Sequence, residues 1–283
     1  MTPRWRSLLY VPVVSEQFVA KAHERGADAV ILELEDAVAP SEKDRARRLV
    51  REAAAKVVQG DVDVLVRINR PWRLAVRDIE ASVDENVRAF VLPKVDSAQH
   101  VLALAEVTAA VEQERGLPLG HTLFFPRIEG PKGLLNAPEI AGAHSRVVAI
   151  GLGSSDFTIA TGMETGGEGS AIASFQVVVA AVAAGCLPLG LVGSITDFRD
   201  LDAFRRVAER SRALGLRGAP CVHPSQVPIL NEVFAPTDDE VERARRVVEE
   251  YEQALADGQG AIVVDGEFVD IPYYEQAKRL LRS

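Results

Sequence analysis

The sequence predicts a (β/α)₈ barrel of the TIM type, an α/β fold, from three observations. The chain has 283 residues and is 47% hydrophobic, enough to build a large core in one barrel-sized domain. Apolar runs of strand length alternate with helical patterns along the chain. Polar and acidic residues follow several of these runs, where the carboxyl ends of barrel strands carry function. The eight runs lie at residues 7–11, 29–34, 62–68, 89–92, 122–128, 147–152, 187–192 and 219–222.

Helical patterns separate the runs, as a barrel of parallel strands requires. The patterns lie at residues 41–58, 98–114, 170–184, 200–214 and, after the eighth run, 238–256. Ser41 and Asp200 are the expected N-caps of two of these helices, because short oxygen-bearing side chains accept hydrogen bonds from first-turn amides.

The tail of the chain changes character after the last of these helices. Residues 261–269 predict a β-hairpin that turns at Asp265-Gly266, and residues 273–281 predict a short amphipathic helix. We therefore expect a barrel over residues 1–257 and a C-terminal extension over residues 258–283. The extension carries apolar side chains that a completed barrel does not need, so we expect it to pack on a neighbouring subunit.

The composition narrows the class of function. A formal charge of −9 and a pI near 5.2 argue against nucleic acid or an anionic membrane as a partner, and leave room for a local cationic pocket. Cys186 and Cys221 lie in or beside apolar stretches without CxxC spacing, which favours buried thiols over a disulfide or a zinc site. Residues Met1 to Trp5 are too polar for a signal peptide, and no stretch reaches the ~18 to 20 apolar residues of a membrane span. We expect a cytoplasmic enzyme.

Two carboxylates follow apolar runs in the middle of the chain. Glu129 closes the run at 122–128, and Asp156 follows the run at 147–152. Because the carboxyl ends of barrel strands meet at one rim, the two groups converge there in the predicted fold. Oxygen ligands suit a hard cation, so this pair is a candidate Mg²⁺ site.

Charged residues also end the second and third runs. Arg67 could bind a substrate carboxylate through its planar fork, or form a structural ion pair with an acid of the second run. Period-two alternation sends Glu33 and Glu35 to one face and Asp36 to the other. For Glu35 and Asp36, a catalytic role and a salt bridge are equally supported.

Three further features have simpler structural explanations. Lys94 ends the fourth run, where solvation or ion pairing is favoured over a Schiff-base nucleophile. His223 ends the eighth run, where a satisfied core histidine is favoured over an acid or base. The glycine-rich loop at residues 151–155 is weak evidence for an anion site made of backbone amides.

An ordered set of motifs resembles the citrate lyase beta-subunit-like branch of the HpcH/HpaI aldolase family, which includes malyl-CoA lyases. The motifs, spread nearly end to end, are RSLLYVP at 6–12, GADAVILELED at 26–36, VRIN at 66–69, LPK at 92–94, IE with GLLN at 128–136, Asp156, VHPSQV at 222–227 and VVDGEFVD at 263–270. The resemblance implies a Mg²⁺-dependent barrel, trimeric or a dimer of trimers. It also implies reversible carbon–carbon cleavage of a 3-hydroxyacyl thioester into an acyl-CoA and a 2-oxo acid.

The resemblance implies roles for the residues at the rim. Glu129 and Asp156 would bind Mg²⁺, and Arg67 would hold the carboxylate of the oxo acid. The amides of Gly153, Ser154 and Ser155 would hold the other end of that oxo acid. A chelated divalent ion would stabilise the negative charge that develops on the reacting oxygen.

Other implied roles lie further from the metal. Asp270 would act as acid or base from the adjacent subunit, and Glu35 and Asp36 would stand close to the water shell of the metal. The chain departs from the family pattern at residues 12–16, which lack the usual glycine and cation near CoA, and at Gly190, near the place of a usual aspartate. The oxo-acid half of the site therefore matches the family, and the thioester half is altered.

The leading expectation is a Mg²⁺-dependent carbon–carbon lyase acting on a 3-hydroxyacyl-CoA, such as a malyl-CoA or citramalyl-CoA-like thioester. The alternatives are a metal-dependent aldolase of free 4-hydroxy-2-oxo acids and a malyl-CoA-type thioesterase. The set Arg67, Glu129 and Asp156 argues against a relative that only binds metabolites. The expected partners are a small-molecule substrate (a 2-oxo acid, with or without an acyl-CoA) and further copies of the chain, in a homotrimer or hexamer.

Overall fold

The computed structural model describes residues 3–59, 62–194, 196 and 198–282. Met1 and Thr2, at the start of the segment judged too polar for a signal peptide, lie outside these ranges, as does Ser283 at the end of the predicted extension. Packing divides the chain into two compact units, Met1–Phe234 and Ala235–Ser283. Over the described ranges, no helix is long and apolar enough to cross a lipid bilayer.

The first unit contains one strand at each of the eight predicted runs. The strands are β1 (Ser7–Pro12), β2 (Ala29–Glu33), β3 (Asp63–Arg67), β4 (Ala89–Leu92), β5 (Leu123–Ile128), β6 (Ala149–Leu152), β7 (Leu187–Pro188) and β8 (Ala219–Cys221). All pair in parallel, in the order β7-β6-β5-β4-β3-β2-β1-β8. The predicted α/β barrel class is confirmed.

The two ends of this curled sheet meet. The Arg217 amide donates to the Pro188 carbonyl at 2.9 Å, and the Gly190 amide donates to the Gly218 carbonyl at 2.9 Å. These bonds join the chain around β7 to the chain around β8 and close the barrel.

Strand β7 has two residues where the sequence predicted six. Pro188 has no amide hydrogen to donate to the ladder. Gly190 and Gly193 then take φ values of +147° and +158°, which residues with a side chain rarely adopt. The chain therefore leaves regular strand geometry directly after Pro188.

Ten helices surround the strands in the described part of this unit. They are α1 (Glu16–Ala20), α2 (Lys43–Val57), α3 (Trp72–Ser82), α4 (Ala98–Glu114), α5 (Pro131–Leu135), α6 (Ala137–Ala141), α7 (Ser154–Thr161), α8 (Glu168–Ala183), α9 (Leu201–Ala213) and α10 (Val227–Val233). The predicted cap Asp200 is confirmed, because its carboxylate accepts from the Ala203 amide at 2.8 Å. The predicted cap Ser41 is wrong: it lies inside a 3₁₀ turn, Pro40–Glu42, and α2 begins after Glu42.

Alternation along the strands sorts their side chains into two layers. One layer fills the barrel interior and includes Leu8, Ile31, Leu65, Val91, Phe125 and Leu189. The other packs against the surrounding helices and includes Leu9, Val30, Val64, Phe90 and Phe124. On β5 the interior face continues from Phe125 to Arg127 and Glu129, so the barrel interior changes from apolar to charged toward its carboxyl end.

The second unit has its own small core. It contains α11 (Asp238–Ala256), the antiparallel strands β9 (Ile262–Val264) and β10 (Glu267–Val269), and α12 (Ile271–Arg282). The predicted turn is confirmed: Asp265 and Gly266 have φ values of 51° and 82°, as a tight hairpin turn requires. Tyr251 of α11 stacks on Tyr274 of α12 with ring centroids 4.9 Å apart.

The compact unit thus begins before α11, although the sequence assigned that helix to the barrel. Val264 and Val269 of the hairpin are buried in one cluster with Tyr251. This packing ties α11 to the hairpin and α12. The division at residue 257 and the packing of the extension on a neighbouring subunit stay predictions.

Candidate active site

Charged groups from the ends of β2, β3 and β4 form one connected network. The register of β2 and β3 places Glu33 directly beside Arg67. Arg67 Nε donates to Glu33 Oε2 at 2.6 Å, and Arg67 Nη1 lies 3.3 Å from Glu35 Oε2. Lys94 Nζ donates to Glu35 Oε1 at 2.5 Å. Glu33 and Glu35 share one face as predicted, and both are buried.

Lys94 is held in place as a charged group. It has a φ of 51°, a left-handed conformation that is uncommon for residues with a side chain. Burial lowers its pKa, but the hydrogen bond to Glu35 and the charges of Glu35 and Asp36 outweigh this and raise it above its ordinary value. A Schiff-base nucleophile must be neutral, so ion pairing is the interpretation that the structure supports. Asp36 is exposed and lies 3.2 Å from Lys94 Nζ.

Glu129 and Asp156 converge as the sequence predicts, but on different elements. Glu129 follows β5 directly and is 6% exposed. Asp156 is not at a strand end: β6 ends at Leu152, and Asp156 lies in the first turn of α7. Burial raises the pKa of Glu129 to about 7, and the charges of Asp156 and Glu35 add to the rise.

Gly153 makes room for the Glu129 carboxylate. A Cβ atom at Gly153 would lie 2.4 Å from Glu129 Cγ and 2.9 Å from its Oε1, so only glycine fits there. The amide of Gly153 donates to the Ile128 carbonyl at 2.8 Å and is therefore already used. The amides that remain for an anion are those of the first helical turn, at Ser154, Ser155 and Asp156, which a helix cannot satisfy by itself.

Two residues that the sequence patterns did not single out, Arg127 and Tyr10, line a pocket together with Glu129 and Asp156. Arg127 occupies the interior face of β5 between Phe125 and Glu129, and period-two alternation from Glu129 would have identified it. Its Nη2 donates to the Leu152 carbonyl at 3.2 Å, and its Nε lies 3.9 Å from Glu129 Oε1. Tyr10 of β1 carries the Arg67 guanidinium over its ring, 4.8 Å from the centroid.

The pocket encloses about 480 Å³ of empty space, part of which is open solvent. Six of the predicted residues line it: Arg67, Glu129, Gly153, Ser154, Ser155 and Asp156. Glu35 and Asp36 are not part of the lining found in the described structure; Glu35 Oε2 lies 3.3 Å from Nη1 of Arg67, which is part of it. Asp270 belongs to the second unit, where its backbone carbonyl accepts from Tyr274 at 3.0 Å as α12 begins.

His223 and the two cysteines have structural surroundings. His223 is half-buried rather than a core residue; its Nδ1 caps a 3₁₀ turn and its ring stacks on Phe198 at 4.7 Å. Cys186 and Cys221 are buried thiols, as predicted. Burial raises the pKa of Cys221 to about 12, so that thiol is not ionised near neutral pH.

A hard divalent cation fits the residues at Glu129. Among the described residues, Glu129 Oε2 is buried without a hydrogen-bond partner, although an unpaired buried carboxylate oxygen is costly. No group of three or more His, Cys, Asp or Glu side chains with metal-binding geometry occurs in the described ranges. Two carboxylates with room for water ligands suit Mg²⁺, which keeps several of its waters.

The chain is similar to known proteins along most of its length. The family model for HpcH/HpaI aldolase/citrate lyase matches residues 6–224. The citrate lyase subunit beta of Escherichia coli (strain K12) is 35% identical over 281 residues, 98% of this chain and 92% of that protein. The L-malyl-CoA/beta-methylmalyl-CoA lyase of Rhodobacter capsulatus is 34% identical over 299 residues, 98% of this chain and 94% of that protein. The CitE protein of Mycobacterium tuberculosis, solved with magnesium, acetoacetate and coenzyme A, matches with a TM-score of 0.77 and 26% identity over 100% of this chain and 98% of that one.

A closed parallel barrel with acids at its carboxyl rim defines the class of this protein as a TIM-barrel enzyme. The chain belongs to the HpcH/HpaI aldolase/citrate lyase family. The predicted resemblance is confirmed, and so is the prediction of an enzyme of the lyase class, because the relatives are lyases by name.

Proposed function

We propose that the protein is a Mg²⁺-dependent carbon–carbon lyase that cleaves a 3-hydroxyacyl thioester into an acyl thioester and a 2-oxo acid. One observation carries this proposal: the buried Glu129 carboxylate, with an oxygen that lacks a partner in the described structure, lines the same pocket as Asp156. The lyases among the relatives and the magnesium and coenzyme A of the CitE complex support it.

In this proposal Glu129 and Asp156 hold the metal ion, and Glu33 and Glu35 fix the orientation of Arg67. The bound ion would supply a Lewis acid that stabilises the negative charge developing on the reacting oxygen of the substrate. Arg67 and the first-turn amides of α7 would donate hydrogen bonds to the oxo acid, since a guanidinium, unsatisfied amides and the helix dipole all favour an anion there.

The reaction needs one base and returns the proton it takes. A base removes the proton of the 3-hydroxyl group, the oxygen forms the carbonyl of the oxo acid, and the electrons of the broken carbon–carbon bond pass to the thioester as an enolate. Protonation of that enolate carbon then gives the acyl thioester. We assign this proton transfer to Asp270, whose half-buried Oδ1 lacks a partner among the described residues.

We further propose that Asp270 acts in the pocket of a neighbouring copy, in a homotrimer or hexamer. The hairpin and α12 expose Val263, Phe268, Ile271 and Tyr273, each more than half accessible. Contact with another copy of the chain would bury this surface.

Metal binding is the first test. Mg²⁺ should raise the unfolding temperature of the unmutated protein, and should do so far less in Glu129→Gln and Asp156→Asn. The exposed Glu139 of α6 offers a matched control, because Glu139→Gln removes one carboxylate outside the pocket. Equal Mg²⁺ stabilisation in all four proteins would disprove the metal assignment. Release of a 2-oxo acid from a series of 3-hydroxyacyl-CoA thioesters, malyl-CoA and citramalyl-CoA among them, would then test the reaction.

Mixed oligomers test the shared site. Asp270→Asn and Glu129→Gln proteins should each be inactive, and oligomers formed from both should recover some turnover, because some interfaces then hold one intact copy of each group. Verified mixed oligomers without any recovery would rule out a site shared between subunits.

The second candidate is an aldolase of free 4-hydroxy-2-oxo acids, which needs no thioester site. The loop after β1 favours it, because Val13 is buried and Glu16 is exposed where a cation would help to bind the CoA phosphates. Cleavage of a free 4-hydroxy-2-oxo acid, with CoA esters untouched, would select this candidate.

A further inference from the structure

Arg127 is a buried cation whose hydrogen-bonding capacity is mostly unused. Its side chain is 9% exposed and lines the pocket. Within the described ranges, its Nε and Nη1 atoms are buried and have no hydrogen-bond partner. Its nearest carboxylate, Glu129, is 3.9 Å away, which is too long for a hydrogen bond. A buried guanidinium without partners costs free energy unless a ligand supplies acceptors and a negative charge.

Arg67, the other arginine of the pocket, is in the opposite condition. Its Nε is bound to Glu33 and its Nη1 lies beside Glu35, so protein carboxylates already balance its charge. Among the described residues, the one carboxylate within 4 Å of Arg127 is that of Glu129. When Glu129 is committed to a divalent cation, Arg127 is left as an unbalanced buried charge next to that cation.

Neutralising the charge of Arg127 therefore requires more negative charge than a monocarboxylic oxo acid carries. One carboxylate can be taken by the first-turn amides of α7 at Ser154 and Ser155. The Nε and Nη1 groups of Arg127 would still face the pocket without an acceptor. A second carboxylate on the same ligand would accept from them and neutralise the guanidinium.

We propose that Arg127 is a specificity-determining residue that binds a second carboxylate, so that the oxo acid of this enzyme is a 2-oxo dicarboxylate. This assignment rests on the proposed lyase function and adds the class of oxo acid to it. The pocket thus distinguishes a dicarboxylate from an oxo acid with a methyl group in the same place, because a methyl group would leave the guanidinium unpaired.

Binding of two matched ligands tests the assignment without turnover. Oxaloacetate and 2-oxobutyrate differ in having a carboxylate or a methyl group at the same end. Calorimetry with Mg²⁺ present would compare both ligands on the unmutated protein, Arg127→Met and Arg127→Lys. Arg146→Lys is the control, because Arg146 is an equally buried arginine bound to Glu112 away from the pocket. Thermal unfolding would show that each variant is folded.

The unmutated protein and Arg146→Lys should bind oxaloacetate about tenfold or more tightly than 2-oxobutyrate, because only oxaloacetate gives the buried guanidinium a charged partner. In Arg127→Met the preference should fall below about threefold through weaker oxaloacetate binding, with 2-oxobutyrate little changed; Arg127→Lys should keep part of it. An unchanged preference in Arg127→Met, or no preference in the unmutated protein, would overturn the Arg127 assignment and leave the lyase proposal standing. If neither ligand binds the Mg²⁺-loaded protein, both proposals fail.

Discussion

Two buried glutamates lie near the two ends of the same strand, β5, and differ in how they are paired. Glu112 of α4 lies near the start of the strand, where its Oε1 accepts from Thr122 at 2.7 Å and its Oε2 from Gly120 at 2.9 Å. Arg146 adds a bond of 2.6 Å to each oxygen. Glu129 follows the end of the strand, and its Oε2 has no partner in the part of the chain that the structure describes.

The pKa values of the two glutamates differ in the way that their hydrogen bonding predicts. Burial alone would raise the pKa of Glu112, but the hydrogen bonds from Arg146, Thr122 and Gly120 outweigh it and lower that pKa. Burial raises the pKa of Glu129 to about 7 because no comparable bonds oppose it. A carboxylate that the protein satisfies stabilises the fold, whereas one that it leaves unsatisfied is available to a ligand.

The largest effect on stability should come from the satisfied glutamate. Glu112→Gln keeps the shape but leaves the Arg146 guanidinium buried without an opposing charge, so the free energy of unfolding should fall by about 3–5 kcal/mol. Urea unfolding would measure it. Glu114→Gln, an exposed change on the same helix, is the control. A loss of less than about 1 kcal/mol would show that pairing at this end of the barrel does not determine stability.

The same exchange of arginine for lysine should affect different properties at the two ends. Arg67→Lys keeps the charge but loses the fork that Glu33 and Glu35 orient. The free energy of transition-state binding, calculated from the ratio of kcat/KM values, should therefore weaken by about 2–4 kcal/mol. Arg146→Lys should instead lower the unfolding midpoint and leave kcat/KM within about threefold. Steady-state kinetics and thermal unfolding on both variants check this. Equal kcat/KM losses in both would remove the functional difference between the two ends.

The unsatisfied glutamate should cost stability when it is ionised. Its folded pKa of about 7 exceeds its unfolded value, so the metal-free protein loses stability as pH rises between about 4.5 and 7. In chelator at pH 8, Glu129→Gln should therefore be more stable than the unmutated protein by about 2–3 kcal/mol. Below about pH 4.5 the difference should vanish, because both side chains are then neutral. Thermal unfolding at the two pH values measures it; a destabilised Glu129→Gln at pH 8 would contradict the comparison.

The sequence predicted the elements better than it predicted the pairing between them. Each of the eight strands of the barrel lies at a predicted apolar run, because burial on both faces leaves a continuous apolar signal. Arg67 was correctly placed at a strand end, but its bond to Glu33 depends on the β2–β3 register, which local sequence does not encode. Asp156 was expected at a strand end and lies in a helix, because Gly153 alone separates the end of β6 from the start of α7.

Arg127 shows a different limit. A single charge inside the run LFFPRI is outweighed by its apolar neighbours, so the run predicts a buried strand and conceals the arginine. Period-two alternation from Glu129 puts Arg127 on the same face, and closure of the barrel makes that face part of the pocket. The role proposed for Asp270 in a neighbouring subunit comes from the family resemblance, because periodicity and spacing describe a single chain.

The smallest effect should come from an exposed charge at the same end of the barrel as Glu129. Glu16 begins α1 in the loop after β1, and its carboxylate would oppose the phosphates of a CoA ligand across solvent. Free CoA should bind weakly, and Glu16→Arg should tighten binding by about tenfold or less, since exposed charges contribute at most about 1 kcal/mol. Glu24→Arg makes the same change of charge just before β2, at the opposite end of the barrel, and should leave CoA binding unchanged. Calorimetry at low and high salt checks both, because screening should erase the gain. Micromolar CoA binding by the unmutated protein, or equal gains in both variants, would show that this loop does not set CoA affinity.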